Sequence, residues 1–491
     1  MKMQELMGYE LLEKINNKEL TIQEIIEDTF KIIDETEPYL HSFVYLTKEN
    51  ALIRAKELDK KLKQKKLKGR LSGLPLVVDD GICVKNYPTT CASKILEGYI
   101  PPFNATVIEK LVEKDSAIFI GSTNMDEFGM GCSTETSCYF ATYNPWNLDY
   151  VPGGASGGSG AAVASKQTIF ALGSDIGGSI RCTASFCGVV GLKPTTGLVS
   201  KFGLASYGNS LEQIGPITKC VKDCALLLQI IAGRDSLDPT TLHEKIENYF
   251  DFLEESIENK IVGIPKEFFN GDIDPSTKEV VFKAIKKLEN LGIEFLEISF
   301  PNFQFALPAY FLIALSEEAS NIAKFDGLRY GKMLFFDQTK DVFEVYSKTR
   351  GEKLGIEAKR RSLLGTYLLT KKYYKPFYIK AQKVRTLIKN DIQNALKQCN
   401  ALISPTMPKT AFKINELIDQ PLKMYDMNSL TCPANLSGLP ALSIPCGFDK
   451  KQLPIGIQII GNYLDEKSIL NIGYLLEQEL NIFRKMPAIK N

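Results

Sequence analysis

Apolar positions recur at helical spacing near the start of the chain. After Thr21-Ile-Gln-Glu24, which has the form of a capping box, they fall at Ile25, Ile26, Phe30 and Ile33. The first 70 residues therefore read as a helical segment, with residues 71–491 as the main domain. From Gly73 the pattern changes to short β-branched runs, Val77-Val78, Ile118-Phe-Ile120 and Thr168-Ile-Phe-Ala171, which predict strands. Helical stretches alternate with them, one predicted from Ser159 to Ala164. Arg234 to Asn259 is polar and acidic and reads as a connection before a strand at Lys260-Ile-Val-Gly-Ile-Pro265. A mainly helical insertion spans about 300 to 400. Its long Lys371 to Lys397 stretch carries Tyr373, Tyr374 and Tyr378 at helical spacing, which predicts packing rather than a nucleic-acid platform. The alternation as a whole predicts a layered α/β architecture.

Composition narrows this picture only modestly. With 491 residues and 44% hydrophobic content the chain can bury a large core, as one α/β domain or two lobes. There is no internal repeat or low-complexity tract. A net charge of +1 provides no global basic field, so any nucleic-acid affinity must come from a partner or a local patch. The basic run from Lys60 to Arg70 reads as a solvated helix end and linker, with contact to RNA or a partner as the alternative. Eleven cysteines are scattered without Cys-x-x-Cys or a zinc spacing, as expected of buried thiols in a reducing compartment. The acidic, helical N-terminus resembles no secretory signal, and no apolar run approaches the ~20 residues of a membrane span. Cytoplasm is the expected location, with an organelle matrix still open.

Candidate chemistry concentrates in two glycine-serine segments, Pro152-Gly-Gly-Ala-Ser-Gly-Gly-Ser159 and Ser174-Asp-Ile-Gly-Gly-Ser-Ile-Arg181. Glycine reaches backbone angles that turn neighbouring N–H groups the same way, so Asp175 to Ser179 can present amides to a developing oxyanion, with Ser179 as nucleophile. A phosphate-binding P-loop is excluded, because Gly160-Ala-Ala-Val lacks the required Lys-Ser or Lys-Thr. A dinucleotide fingerprint fits no better. The chain has only two histidines, His41 and His243, neither in catalytic company. A serine nucleophile still needs a base, and a Ser-Lys arrangement is the natural alternative.

These segments resemble the amidase signature family, and within it the A subunits of tRNA-dependent amidotransferases. The resemblance extends over most of the chain. Further landmarks are Gly73-Leu-Pro-Leu-Val-Val78, Thr90-Cys-Ala-Ser-Lys-Ile-Leu96, Asn124-Met-Asp-Glu-Phe-Gly-Met-Gly131 and Phe186-Cys-Gly-Val-Val-Gly-Leu-Lys-Pro-Thr195. Later come Lys359-Arg-Arg361, Leu364-Gly-Thr-Tyr367, Ala381-Gln-Lys-Val-Arg-Thr386 and Pro454-Ile-Gly-Ile-Gln-Ile-Ile-Gly461. The resemblance implies one mixed β-sheet sandwiched between helical layers, with the Gly/Ser core at its centre.

It also implies a site. Such enzymes use a serine nucleophile, a second serine after a cis peptide and a lysine that takes and returns the proton. Ser179 matches the nucleophile, and Ile176, Gly177, Gly178 and Ser179 match the oxyanion amides. Ala155 stands at the cis-serine position and Asp79 at the lysine position, followed by Asp80 where the family also has aspartate. Alanine relays no proton, and an ionised Asp79 places negative charge where the transition state builds more of it. Ser156 and Ser159 are the candidates to replace Ala155, and Lys85 the candidate base, each through a rearranged loop. In the substrate pocket Arg361 matches the arginine that grips a glutamine carboxylate. Asn428 stands where the family has an aspartate for the amino group, with Asp426 close by, and a pocket tyrosine aligns with Tyr310 or its neighbour Phe311.

The function implied is glutamine hydrolysis through a glutamyl ester on Ser179. The ammonia would pass to the B subunit, which amidates Glu-tRNA(Gln) or Asp-tRNA(Asn) in a heterotrimer completed by a small C subunit. Aminoacyl-tRNA is expected mainly on the B subunit, as are ATP and Mg, so no cofactor is expected on this chain. Positions 79, 155 and 428 predict reduced or lost glutaminase activity. A silent scaffold fed by ammonium and a standalone amidase are the alternatives.

Overall fold

Eleven strands form one mixed sheet among the described residues, which in this computed structural model are 3–205, 207–244, 246–331, 333–334 and 341–489. In chain order they are β1 (Phe43–Leu46), β2 (Pro75–Asp79), β3 (Ile118–Thr123), β4 (Phe170–Asp175), β5 (Val190–Lys193), β6 (Gln213–Thr218), β7 (Ile261–Pro265), β8 (Glu294–Ile298), β9 (Ala401–Pro405), β10 (Ala441–Phe448) and β11 (Pro454–Gly461). Their spatial order is β1-β3-β2-β4-β6-β5-β10-β11-β9-β7-β8. β2 runs parallel to both β3 and β4, whereas β4, β6, β5, β10, β11 and β9 are joined antiparallel. β2, β3, β4, β5, β6, β9 and β11 are buried along their whole length. Burial on both faces is why runs such as Leu76-Val-Val78, Ile118-Phe-Ile120 and Ile457-Gln-Ile-Ile460 lack a strict apolar–polar alternation.

The N-terminal segment differs from the all-helical expectation. Helices Gly8–Asn16, Ile22–Leu40 and Lys48–Lys63 form, and Thr21 caps the second by accepting from the Glu24 amide. Between them, however, Phe43-Val-Tyr-Leu46 adds the edge strand β1 antiparallel to β3. Four β-prone residues suffice at an edge, where one neighbour supplies the ladder. Leu11, Ile15, Ile26 and Phe30 join the same apolar core as the sheet.

Between about 300 and 400 lie helices Ala306–Ile322, Val342–Lys353, Ile356–Leu369 and Lys380–Ala395. The aromatic stretch departs from expectation. Tyr374–Ile379 is a π-helical turn with no buried residue, so its rings are not core packing.

The Gly/Ser core lies centrally. β4 ends at Asp175, the chain turns through Ile176-Gly-Gly178, and the helix Ser179–Cys187 begins. Gly188 closes that helix in the left-handed conformation at φ 64°, the usual role of a C-terminal glycine.

Candidate active site

The nucleophile turn is held from below by a buried ionic network. Gly178 sits at φ +131°, and a side chain there would collide with Thr431. Asp175 accepts from the Gly178 amide at 2.8 Å, from Arg181 Nε at 3.0 Å and Nη2 at 2.9 Å, and from Asn435 Nδ2 at 2.9 Å. Arg181 also donates to Gln458 Oε1 at 2.6 Å and Asn435 Oδ1 at 2.6 Å. Burial works against the Asp175 charge, but Arg181 and the hydrogen bonds more than compensate and hold the carboxyl below its usual range.

This network corrects the expected set of four oxyanion amides. The Gly178 N–H is committed inward to Asp175. Among the described residues nothing accepts from the Gly177 or Ser179 amides, which lie at the N-terminal end of the Ser179–Cys187 helix. Ser179 itself is mostly buried.

The relay positions form a self-contained cluster. Asp79, at the end of β2, accepts from Ser156 Oγ at 2.5 Å and Ser159 Oγ at 2.7 Å. Longer contacts come from the Ser174 amide at 3.4 Å and Thr123 Oγ1 at 3.5 Å. Burial pushes the Asp79 carboxyl up to about 6, while the Ser156 and Ser159 hydroxyls pull it down. Ala155 is fully buried, follows a cis peptide bond from Gly154, and offers only its carbonyl, which accepts from the Asp126 amide at 3.2 Å.

The groups considered as replacements are placed elsewhere. The hydroxyl protons of Ser156 and Ser159 both go to Asp79, which accepts but donates nothing while ionised. Lys85 is exposed and lines a separate cleft of about 400 Å³ with Asn50, Arg54 and Glu113.

The residues expected to bind substrate lie as follows. Tyr310 is buried with its hydroxyl against Gly177, where only a glycine leaves room for it. Its neighbour Phe311 stacks on Tyr425 with centroids 4.4 Å apart, and the Arg361 guanidinium lies 5.2 Å from the Tyr425 ring and 5.8 Å from the Phe311 ring. Tyr310 thus faces the nucleophile turn and Phe311 faces Arg361. Arg361 Nε donates to Glu357 Oε1 at 2.7 Å and Nη1 to Glu318 Oε1 at 3.2 Å. Burial opposes its charge, yet the two carboxylates outweigh burial and keep it cationic.

Asn428 follows Tyr425 in a tight turn, and its carbonyl accepts from the Cys432 amide at 3.0 Å. Thr431 Oγ1 donates to the Gly177 carbonyl at 2.6 Å, which ties this turn to the nucleophile turn. Asp426 instead lines another cleft, of about 460 Å³, with Glu267, Lys409 and Lys423. Sequence motifs alone do not point to Glu318, Glu357 or Tyr425. Glu357 carries a usable signal, since it lies four residues before Arg361 on one helical face. Among the described residues no group of His, Cys, Asp and Glu could hold a metal ion, and no helix is long and apolar enough to cross a membrane.

A family model described as Amidase matches residues 24–470. The chain belongs to the amidase family. Among its relatives, the glutamyl-tRNA(Gln) amidotransferase A subunit of Halothermothrix orenii is 46% identical over 492 residues, covering 100% of both chains. Its counterpart from Cyanothece sp. is 48% identical over 469 residues, covering 96% of this chain and 97% of the relative. The crystal structure of the glutamyl-tRNA(Gln) amidotransferase A subunit from Thermotoga maritima superposes with a TM-score of 0.82 at 35% identity, covering 100% of this chain and 99% of that one. This member of the amidase family thus keeps the family fold and the serine turn. At the positions where the resemblance implies lysine and cis-serine it carries Asp79 and Ala155.

Proposed function

We propose that the chain is the A subunit of a tRNA-dependent amidotransferase whose glutamine-hydrolysing centre is strongly impaired or silent. Full-length similarity to A subunits supports the first part of this reading. The impairment rests on one observation: Asp79 is fully buried and held by Ser156 and Ser159. Glutamine hydrolysis needs a group that takes the Ser179 proton as the hydroxyl attacks the side-chain amide and then delivers it to leaving ammonia. Ala155 has no hydroxyl to pass that proton on. Asp79 could accept it in charge terms, yet a carboxylate at this place opposes the oxyanion that must form.

Arg361 stays cationic but is already paired with Glu318 and Glu357, so a substrate carboxylate would have to compete for it, and Tyr310 forms the wall beside Gly177. Asn428 can accept a hydrogen bond from an ammonium, without the charge assistance of a carboxylate. The chain would then act in a cytoplasmic complex with B and C subunits, where ATP, Mg and the aminoacyl-tRNA belong to the B subunit. Its contribution would be surfaces for assembly, and free ammonium would supply the nitrogen. The test is tRNA-dependent amidation by the reconstituted complex with glutamine or ammonium chloride as donor. Activity with ammonium alone is expected. Near-normal activity with glutamine that disappears in Ser179→Ala would overturn the proposal.

A further inference from the structure

The π-helical turn Tyr374–Ile379 and the end of the helix before it expose aromatic rings that the core does not use. Tyr367 is 51% exposed, Tyr374 39% and Phe377 40%. The rings pair with one another at the surface. Tyr367 and Tyr373 lie 4.2 Å apart between centroids, and Tyr374 stacks on Tyr378 at 5.5 Å and 22°. Burying rings in the core would have given them far more stabilisation than such surface pairs, so the arrangement marks a contact surface rather than a packing element.

Charge identifies the kind of partner. Residues 358–390 contain ten Lys and Arg and no Asp or Glu, in a chain whose net charge is only +1. Arg361 and Arg385 are tied up internally. Lys371, Lys372, Lys375, Lys380 and Lys383 are exposed or half-buried, and among the described residues none has a carboxylate within ion-pair distance. Lys372 Nζ lies 5.1 Å from the Tyr373 ring. Exposed lysines interleaved with partly exposed rings match a strand of phosphates carrying unstacked bases. An acidic protein surface would use the lysines but would leave the ring faces without planar partners.

We propose that this face binds single-stranded RNA, with the lysines on phosphates and Tyr374, Phe377 and Tyr367 as stacking platforms. The site is on this chain itself and does not depend on the amidotransferase reading, because it is tested on the isolated full-length chain. The measurement is fluorescence anisotropy of a short labelled single-stranded oligoribonucleotide, compared with the same strand annealed to its complement, across a range of salt.

The expected result is preference for the single strand, with affinity falling as salt rises. Tyr374→Ala with Phe377→Ala should weaken binding about tenfold or more at an unchanged salt slope. Tyr374→Phe should retain it. Lys371→Glu, Lys372→Glu and Lys375→Glu together should reduce the log–log salt slope by about 2. Circular dichroism melts confirm that each variant folds. No salt-dependent binding by the unchanged chain would overturn the proposal, as would full affinity in the Tyr374 and Phe377 variant. If RNA binding is absent and the lysine reversals instead block assembly with the B and C subunits, the proposal fails and the face is a protein interface.

Discussion

Ser156 Oγ donates to Asp79 Oδ2 at 2.5 Å across 77 residues of sequence, joining the position where the resemblance implies a lysine to the residue beside Ala155. Ser159 completes the pair at 2.7 Å on the other carboxylate oxygen. The lysine position is therefore a satisfied hydrogen-bond cluster and not a hole.

That cluster has a pH signature. Burial pushes the Asp79 carboxyl up to about 6, whereas in the unfolded chain it titrates near 4. Between those values the folded chain holds the extra proton, so stability falls as pH rises through the window and levels off above it. Two pH units correspond to about 3 kcal/mol as an upper bound. Asp79→Asn removes this contribution and the part of the Asp80 shift that the Asp79 charge causes, while Asp126, also pushed up to about 6, is common to both proteins. Urea melts from pH 4.5 to 7.5 should show the unchanged chain losing stability relative to Asp79→Asn as pH rises. Parallel curves would sink the assignment of a buried, protonatable Asp79.

Restoring the relay should restore turnover. Asp79→Lys with Ala155→Ser supplies both the base and the hydroxyl, and Ser156 and Ser159 can rotate from donating to accepting. General base catalysis of this kind contributes about 10² to 10⁴ in rate. Either substitution alone should yield little, because parts of one relay act as a unit. Ammonia release from glutamine is the readout, and a double variant no faster than the single ones would mean that the loss extends beyond the relay.

How far the site is legible in the sequence follows contact distance along the chain. Ser179, Ala155 and Asp79 stand in short local motifs that mark their positions, and the β-branched runs mark the mixed sheet. Glu318 meets Arg361 from 43 residues away, and no local pattern signals that pairing. Ser156 and Ser159 look like stand-ins for Ala155 along the chain because only folding shows that they reach Asp79. Lys85 fails for a similar reason: it is six residues beyond Asp79, but the chain turns at Asp80-Gly81 and carries it to the surface. The tyrosines of 373–378 have helical spacing, yet the period alone does not tell a buried face from an exposed one.

Below the nucleophile, the Asp175–Arg181 pair should be a stability determinant. Both side chains are fully buried, and Arg181 reaches partners that converge from β4, β11 and the Cys432–Ser437 helix with the residue before it. Arg181→Leu leaves the Asp175 carboxylate buried without its cation, which typically costs about 3–5 kcal/mol. A large fall in melting temperature is expected, because leucine satisfies none of the five oxygen acceptors that the guanidinium holds. A fall of only a degree or two would show that Asn435 and the Gly178 amide can hold Asp175 alone.

The substrate pocket offers the remaining prediction. Arg361 is already matched by Glu318 and Glu357, so a glutamine carboxylate arriving there competes with two internal ones. Grip must then come from the other end of the ligand, where Asn428 faces the amino group in the proposed reading. Replacing the amide oxygen by a carboxylate adds a charge–charge attraction to the ammonium, about 1 kcal/mol in water and more in a partly buried site, so Asn428→Asp should tighten glutamine binding roughly tenfold. Calorimetry on the Ser179→Ala background isolates binding from hydrolysis. The gain should vanish for a ligand that keeps the carboxylate but lacks the α-amino group, because the new carboxylate then has no ammonium to meet. Equal gains for both ligands would place residue 428 away from the amino end and remove it from the pocket.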